Sequence, residues 1–280
     1  MIPAQSAISR FRRDMTIGTV LNAVLASAVA FCFFGGMTLL FIVLLVWIVL
    51  GYHSIKSSRL AAGSTSLIAA GEYEEAEVQI EQALRHFSLF RASKLLSLHH
   101  LAVLRHAQKR WQDTAELCRA LLRQRLGALV GLSRQSRLIL ADALLELGDL
   151  RGAHEAISGL YSQRLTLAEA LSLLHVQLDY LWRIHAWEQM LAGLGSKLQL
   201  AELMNTASSA RTQAMLALAA RKTGREDLAT YLRRRTELLT DVDELIKVRP
   251  ILNDLYSVTP QEASETKSAD AAADDAPEQV

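Results

Sequence analysis

The longest uncharged run of this chain extends from Met15 to Tyr52 and reads MTIGTVLNAVLASAVAFCFFGGMTLLFIVLLVWIVLGY. It contains no Lys, Arg, Asp, Glu or His, and a lipid bilayer accommodates so much apolar side chain far better than water does. A spanning helix needs about 20 such residues, and at about 1.5 Å per residue one helix of the whole run would be nearly twice as long as the hydrocarbon core is thick. We therefore expect a transmembrane hairpin of two helices, residues 15–34 and 37–52, turning at 35–36.

Positive charges flank both ends of this run. Three arginines lie between residues 10 and 13, Lys56 and Arg59 follow the run, and the expected turn carries no charge. Because Lys and Arg are retained on the cytoplasmic side, we expect both ends of the hairpin in the cytoplasm. The sequence thus predicts an integral membrane protein with a cytoplasmic soluble domain. A cleaved signal peptide fits poorly, since its apolar region is about 7–15 residues long.

The rest of the chain has the composition of an all-α protein. The four prolines are Pro3, Pro250, Pro260 and Pro277, so none falls between residues 4 and 249. Proline breaks helix interiors, and this long stretch is rich in Leu and Ala, which favour helix. Two cysteines cannot provide a disulfide framework, and a formal net charge of +1 indicates no particular partner.

A short pattern recurs through the soluble part. Ala76 has counterparts at Thr114, Ala153, Met190 and Ala229, at intervals of 38, 39, 37 and 39 residues. Five places before these positions stand Gly71, Lys109, Gly148, His185 and Gly224. Self-similarity with a period of about 20–50 residues is typical of a solenoid.

This pattern resembles the tetratricopeptide repeat family, in which helix–turn–helix units stack and small residues let paired helices pack closely. The resemblance spans residues 57–247, or five helical hairpins. The chain departs from the family in its longer period, in lacking the proline that closes each repeat, and in its degenerate second and fourth copies. A non-repeating helical bundle is the alternative. The small positions that match the family are Ala76, Ala83, Ala102, Ala141, Ala153, Ala217 and Ala229.

The predicted organisation has five parts. A basic N-terminal flank (1–14) precedes the transmembrane segment (15–52), and the tetratricopeptide-like α-solenoid occupies 53–248. A terminal cap (249–258) would cover the last apolar face, as solenoids require. The acidic tail (259–280) lacks aromatic residues and is expected to be disordered.

Charge is concentrated between Leu84 and Leu138, where eleven Lys and Arg face only Asp113 and Glu116. These bases could be solvated helix faces, partly neutralised by the acidic residues 72–81. They could instead form a groove for an acidic peptide or for anionic lipid heads, or bind the chain's own acidic tail. The resemblance implies that the first helix of each hairpin lines the concave side. The candidate partner-binding residues are therefore Arg91, Lys94, Arg105, Arg134 and Arg137.

Nothing in the sequence predicts catalysis, a cofactor or a small-molecule substrate. His99 and His106 could share a helix face, but zinc requires three or four convergent ligands, so we expect no metal site. Aromatic residues do not interleave the bases, which argues against nucleic acid. The function expected is a membrane-anchored adaptor or scaffold for a protein or peptide partner. The alternative is a structural membrane protein whose hairpin packs with a membrane complex or shapes the bilayer, with the solenoid as a spacer.

Overall fold

The computed structural model describes residues 3–35, 37–86, 88, 91–124 and 129–256. These residues form fourteen α-helices and one short 3-10 helix, and none of them lies in a strand. The predicted all-α class is therefore confirmed. The α-helices are α1 (Ala4–Gly35), α2 (Met37–Ala70), α3 (Tyr73–Arg85), α4 (Arg91–Ala107), α5 (Trp111–Leu122), α6 (Val130–Glu146), α7 (Leu150–Tyr161), α8 (Leu167–Arg183), α9 (Trp187–Leu191), α10 (Leu194–Glu202), α11 (Thr206–Lys222), α12 (Glu226–Leu239), α13 (Val242–Val248) and α14 (Asn253–Tyr256).

The chain divides into two compact units, residues 1–176 (unit 1) and residues 177–280 (unit 2). In unit 1 each helix from α2 to α6 packs against the next one along the chain, and α2, α4 and α6 also contact one another in that order. The core between them is built from Leu and Ala side chains such as Leu98, Leu101 and Ala102, which are fully buried.

Helix α2 joins an apolar half to a packed half without a break. Its first half exposes large apolar side chains, with Phe41 63% and Leu45 65% exposed. Its second half packs against α3 and α4, where Ala61 and Ser64 are fully buried. The boundary predicted between residues 52 and 53 therefore lies inside one continuous helix.

Within the part of the chain that the structure describes, one helix is long and apolar enough to cross a membrane, namely residues 41–70 of α2. The second predicted membrane helix, 37–52, lies in α2, and the first, 15–34, lies in α1. Helix α1 ends at Gly35, α2 begins at Met37, and the two helices pack against each other. Gly36, in the predicted turn, is outside the described residues.

The N-terminal flank is part of α1 and packs onto unit 1. Ala4, Ala7 and Phe11 are almost completely buried, and α1 contacts α3, α4 and α5. Their spacing of three and four residues places them on one helix face. The sequence thus contained the signal for this docking, although the flank was predicted only from its charge.

The five positions at which the repeat pattern places Gly, Lys or His adopt the same backbone conformation. In each turn, the residue after the Gly, Lys or His donates its backbone N–H to the carbonyl of the residue five positions before it, as Glu72 does to Leu67. This is the hydrogen bond of a Schellman helix cap. Each such turn needs a left-handed residue, which is easy for glycine and strained for the other two. The φ angles are 83° at Gly71, 58° at Lys109, 77° at Gly148, 56° at His185 and 74° at Gly224.

Unit 2 is organised around α11, most of which is buried, and α12 packs along it. Asp179 accepts hydrogen bonds from Arg211, at 2.7 Å, and from Arg249. The predicted cap forms the 3-10 helix (Pro250–Leu252) and α14, which pack on α11 and bury Leu252 and Leu255. The predicted acidic tail, 259–280, lies outside the described residues.

Candidate interaction surface

Lys94, a predicted partner-binding residue, is buried in unit 1. Its Nζ donates to Asp14 Oδ2 at 2.8 Å and to the Leu84 carbonyl at 2.6 Å, and only 1% of the residue is exposed. A buried ammonium needs such partners, because an unpaired charge in the interior is very costly. Lys94 therefore ties α1 to the end of α3 and the start of α4.

Arg105 is likewise enclosed, with 0% of its surface exposed. Its Nη2 donates to Glu77 Oε1 at 2.8 Å, and its Nη1 donates to Glu77 Oε2 at 3.2 Å and to Gln108 Oε1 at 2.7 Å. This bidentate pair joins α4 to α3. Neither Lys94 nor Arg105 can contact a partner in this conformation, because both side chains are buried.

The other three predicted residues are more accessible. Arg134 is half-buried, and its Nε donates to both oxygens of Glu169 at 2.8 Å. Burial opposes ionisation of Glu169, but hydrogen bonds from Arg134 and Thr166 outweigh it and lower the pKa of Glu169. Arg91 is exposed and donates to Gln124, while Arg137 is half-buried with its guanidinium over Gly159.

Distant acids neutralise much of the basic stretch 84–138. Asp14 is 80 residues from Lys94 and Glu77 is 28 residues from Arg105. Three further acids outside the stretch, Asp142, Asp149 and Glu169, contact His106, Arg119 and Arg134. Acids outside the stretch therefore pair with Arg85, Lys94, Arg105, Arg119 and Arg134, which reduces the local excess of eleven bases over two acids.

The two histidines considered as metal ligands contact α6 instead. The His99 ring nitrogen lies 3.1 Å from the Ser136 hydroxyl, and His106 Nε2 lies 2.7 Å from Asp142 Oδ2. Burial, and then the neighbouring charge of His100, lowers the pKa of His99 to about 4. Among the described residues no three His, Cys, Asp or Glu side chains converge on a common point.

A basic groove of about 450 Å³ lies between the first turns of α1 and the length of α5. Three arginines and one glutamate line it, so its charge favours an anion. The groove residues are Gln5, Ile8, Ser9, Arg12, Gln112, Glu116, Arg119, Ala120 and Arg123.

Unit 1 has two edges of different construction, because tight turns follow α2, α4 and α6 while longer connections follow α3, α5 and α7. Since consecutive helices reverse direction, the turns lie at one edge and the connections at the other. The turn edge consists of residues 71–72, 108–110 and 147–149. The connection edge consists of His86, Ser88, Arg91, Arg123, Gln124, Leu129, Val130 and residues 161–167.

The connection edge lies level with the start of the uncharged run of α1. Lys94 donates both to Asp14, which precedes the uncharged run, and to the Leu84 carbonyl at the end of α3. A Cβ on Gly18 would lie 3.7 Å from the Ser88 carbonyl oxygen. The first connection therefore lies beside the first turns of the apolar part of α1.

The other two connections adjoin the first. Arg91 Nη2 donates to Gln124 Oε1 at 3.3 Å, which links the first connection to the second. The Arg134–Glu169 pair links the second turn of α6 to the first turn of α8, beside the third connection. Comparisons with protein-family models, with curated proteins and with solved structures give no match to this chain.

Proposed function

We propose that this chain is a membrane-anchored adaptor of tetratricopeptide-like helical hairpins that holds a protein or peptide partner at the cytoplasmic face. The observation that carries this proposal is the continuity of α2, which runs from exposed apolar surface into the packed core of unit 1. Anchor and unit 1 then form one body, and the partner-binding face of unit 1 has a fixed orientation relative to the bilayer.

The surface of α2 supports the anchor. Trp47 is 51% and Ile48 is 59% exposed, which in water would leave a large unpartnered apolar patch. A bilayer would cover this surface, with the uncharged part of α1 as the second helix of the hairpin. The basic residues 10–13 and 56–59 would then lie on the cytoplasmic side.

The docked start of α1 supports a rigid connection between the anchor and the hairpins. Phe11 is buried, and Asp14 pairs with Lys94 immediately before the uncharged run begins. The anchor is thus fixed to unit 1 through both of its helices. Such an arrangement presents a binding surface at a set height and angle, unlike a flexible tether.

Arg91 and Arg137 are the best candidates for partner contact among the five predicted residues. Arg91 is exposed, and its hydrogen bond within the described residues is to the neutral amide of Gln124. Arg137 is half-buried, with its guanidinium over Gly159. Both belong to first helices of hairpins, and both could donate to carboxylates of an acidic segment.

In-cell photo-crosslinking from the exposed position Ala92, which leaves Arg91 and Arg137 in place, tests the adaptor. The matched variants are Arg91→Glu/Arg137→Glu and, on second helices, Arg85→Glu/Arg151→Glu, whose side chains are exposed and belong only to local pairs. We expect one recurrent protein partner, lost in the first variant and kept in the second. Equal capture by both variants would exclude the proposed binding face.

A structural role within the membrane is the second candidate, supported by a different observation. Ala23, Ala26, Ser27 and Ala30 lie on one face of α1 and are exposed rather than packed against α2. Small residues of this kind allow another membrane helix to approach closely. Replacement of residues 15–52 by an unrelated two-helix anchor separates the two roles. The new anchor must continue into residue 53 in the same helical register, so that the second half of α2 keeps its packing. Retained partner capture favours the adaptor, and lost function with intact hairpins favours the structural role.

A further inference from the structure

We propose that the connection edge of unit 1 rests on the membrane surface and that its exposed arginines bind the phosphates of anionic phospholipid head groups. This inference depends on the membrane anchor of the proposed function. It adds a second membrane contact, made by the hairpins themselves, to the one made by the uncharged run.

The position of the edge is the first argument. Ser88 lies beside Gly18, and Lys94 lies against Asp14, so the first connection is at the level where the uncharged run of α1 begins. If that run enters the bilayer, this edge faces the head groups. The tight turn at Gly71 lies at the opposite end of the second half of α2, roughly 27 Å beyond Tyr52 at about 1.5 Å per residue.

Charge is the second argument. Arg91, Arg123 and Arg164 are exposed on the connection edge, and none of its described residues is Asp or Glu. Two acids near this edge and α5, Glu169 and Asp149, pair with Arg134 and Arg119 rather than with Arg123 or Arg164. The turn edge differs, because Glu72 and Asp149 balance Lys109 and Arg110 there. An anionic surface attracts the connection edge alone.

Apolar exposure is the third argument. Val130, Tyr161 and Leu167 are half-exposed or more, at 50%, 57% and 55%, and all lie on the connection edge beside the arginines. Arginine with tyrosine and aliphatic side chains suits the boundary between head groups and acyl chains. On the turn edge Leu147, at 42%, is the exposed large apolar residue among those described.

The basic groove extends the same surface. Helices α1 and α5 run in the same direction along it, so Arg12 and Arg123 lie at its end nearest the connection edge. A head group at this end would meet two guanidinium groups, and Arg119 one turn further in. Two or more arginines around one phosphate provide charge-assisted hydrogen bonds.

The test uses the full chain in lipid nanodiscs of phosphatidylcholine alone or mixed with phosphatidylserine. An environment-sensitive fluorophore is attached at Tyr161→Cys on the connection edge or at Leu147→Cys on the turn edge, both exposed positions. The background is Cys32→Ser, and Cys118 stays unlabelled because it is fully buried. Quenching by lipids that carry a spin label in the head group reports contact.

We expect quenching at position 161 in discs with phosphatidylserine and none at position 147. Arg123→Glu/Arg164→Glu should lower the population in contact by about 30-fold or more, because each arginine near an anionic surface contributes about fivefold. The matched variant Lys109→Glu/Arg151→Glu, on or next to the turn edge, should keep the contact. High salt should weaken it by screening.

Four results would overturn the inference. An inserted chain with no quenching at position 161 leaves the anchor intact and removes the second contact. Equal quenching in both lipid mixtures, unaffected by the charge reversal, excludes recognition of anionic head groups. Quenching that a soluble polyglutamate peptide abolishes while the chain stays inserted assigns the edge to an acidic peptide. A chain that does not copurify with the discs overturns the anchor itself, and this inference with it.

Discussion

The two edges of unit 1 differ in how regular their backbone is. At the turn edge the backbone repeats: helix pairs are separated by two or three residues, and each turn has a left-handed residue with the same hydrogen bond. At the connection edge the spacing varies from five residues, between α3 and α4, to seven, between α5 and α6. A repeat whose geometry is set at one edge leaves the sequence of the other edge free to acquire a binding role.

The largest loss of stability is expected when α1 is detached from the connection edge. Asp14→Asn leaves the Lys94 ammonium buried with only the Leu84 carbonyl and a neutral amide as acceptors. We expect a loss of about 3–5 kcal/mol in the free energy of unfolding, measured by urea titration with far-UV circular dichroism in detergent.

Two variants control this measurement. Glu155→Gln removes the exposed pair with Arg151 and should cost less than about 0.5 kcal/mol. Asp14→Asn combined with Lys94→Met removes both charges and should recover most of the loss. A double variant as unstable as Asp14→Asn would contradict the role of the charge.

His99, which lies between the two edges, should make the stability of the fold depend on pH. Its folded pKa of about 4 is below the usual 6.5, so the unfolded chain binds the proton more tightly. The stability that neutral His99 contributes is therefore complete above pH 6.5 and is lost as the pH falls towards 4. The loss is roughly 3 kcal/mol at the lower limit, and thermal unfolding over this pH range should show it.

His99→Gln should flatten this part of the pH dependence, because glutamine does not titrate. His154→Gln is the matched control for the loss of an imidazole at an exposed position. A slope that is the same in wild type and His99→Gln would exclude His99 as the source.

Gly148, at the turn edge, has a left-handed backbone conformation that a side chain would strain. At Gly148 a Cβ would meet no atom within 4 Å, but φ is +77°, so Gly148→Ala should lose about 1–2 kcal/mol from backbone strain alone. Gly131→Ala, in the regular helix α6, should instead gain up to about 1 kcal/mol. Urea unfolding of the pair would refute the assignment if both changes had the same sign.

The smallest effect is expected where the turn edge already departs from glycine. Lys109 and His185 have φ of 58° and 56°. Lys109→Gly and His185→Gly should therefore each stabilise the chain by about 0.5–1 kcal/mol. Melting temperatures measured under identical conditions provide the check, and a decrease for both variants would show that these side chains contribute more than their backbone strain costs.

The sequence predicted the buried positions of the repeat pattern better than it predicted which basic side chains are exposed. The recurrence of Ala76 and its four counterparts identified positions that are all buried, because a fixed spacing along a helix reports a fixed face. It did not show that Lys109 and His185 share the conformation of Gly71, since neither residue type favours it. The partners of Lys94 and Arg105 could not be predicted, because packing brings together residues far apart in the chain.

The domain boundary illustrates the same limit. Hydropathy placed it after Tyr52, where apolar residues give way to polar ones. A change of solvent does not end a helix, however, and no proline interrupts α2 before Ala70. The docking of α1 was readable from the spacing of Ala4, Ala7 and Phe11, but its three arginines suggested only a charged flank.

The continuity of α2 has a mechanical consequence in the anchored protein that we propose. A helix that crosses a bilayer changes its tilt when the hydrocarbon thickness changes. Because the same helix also forms part of the core of unit 1, every degree of tilt in the lipid would rotate unit 1 by the same amount. Membrane thickness would then set the angle at which the partner-binding face meets the cytoplasm.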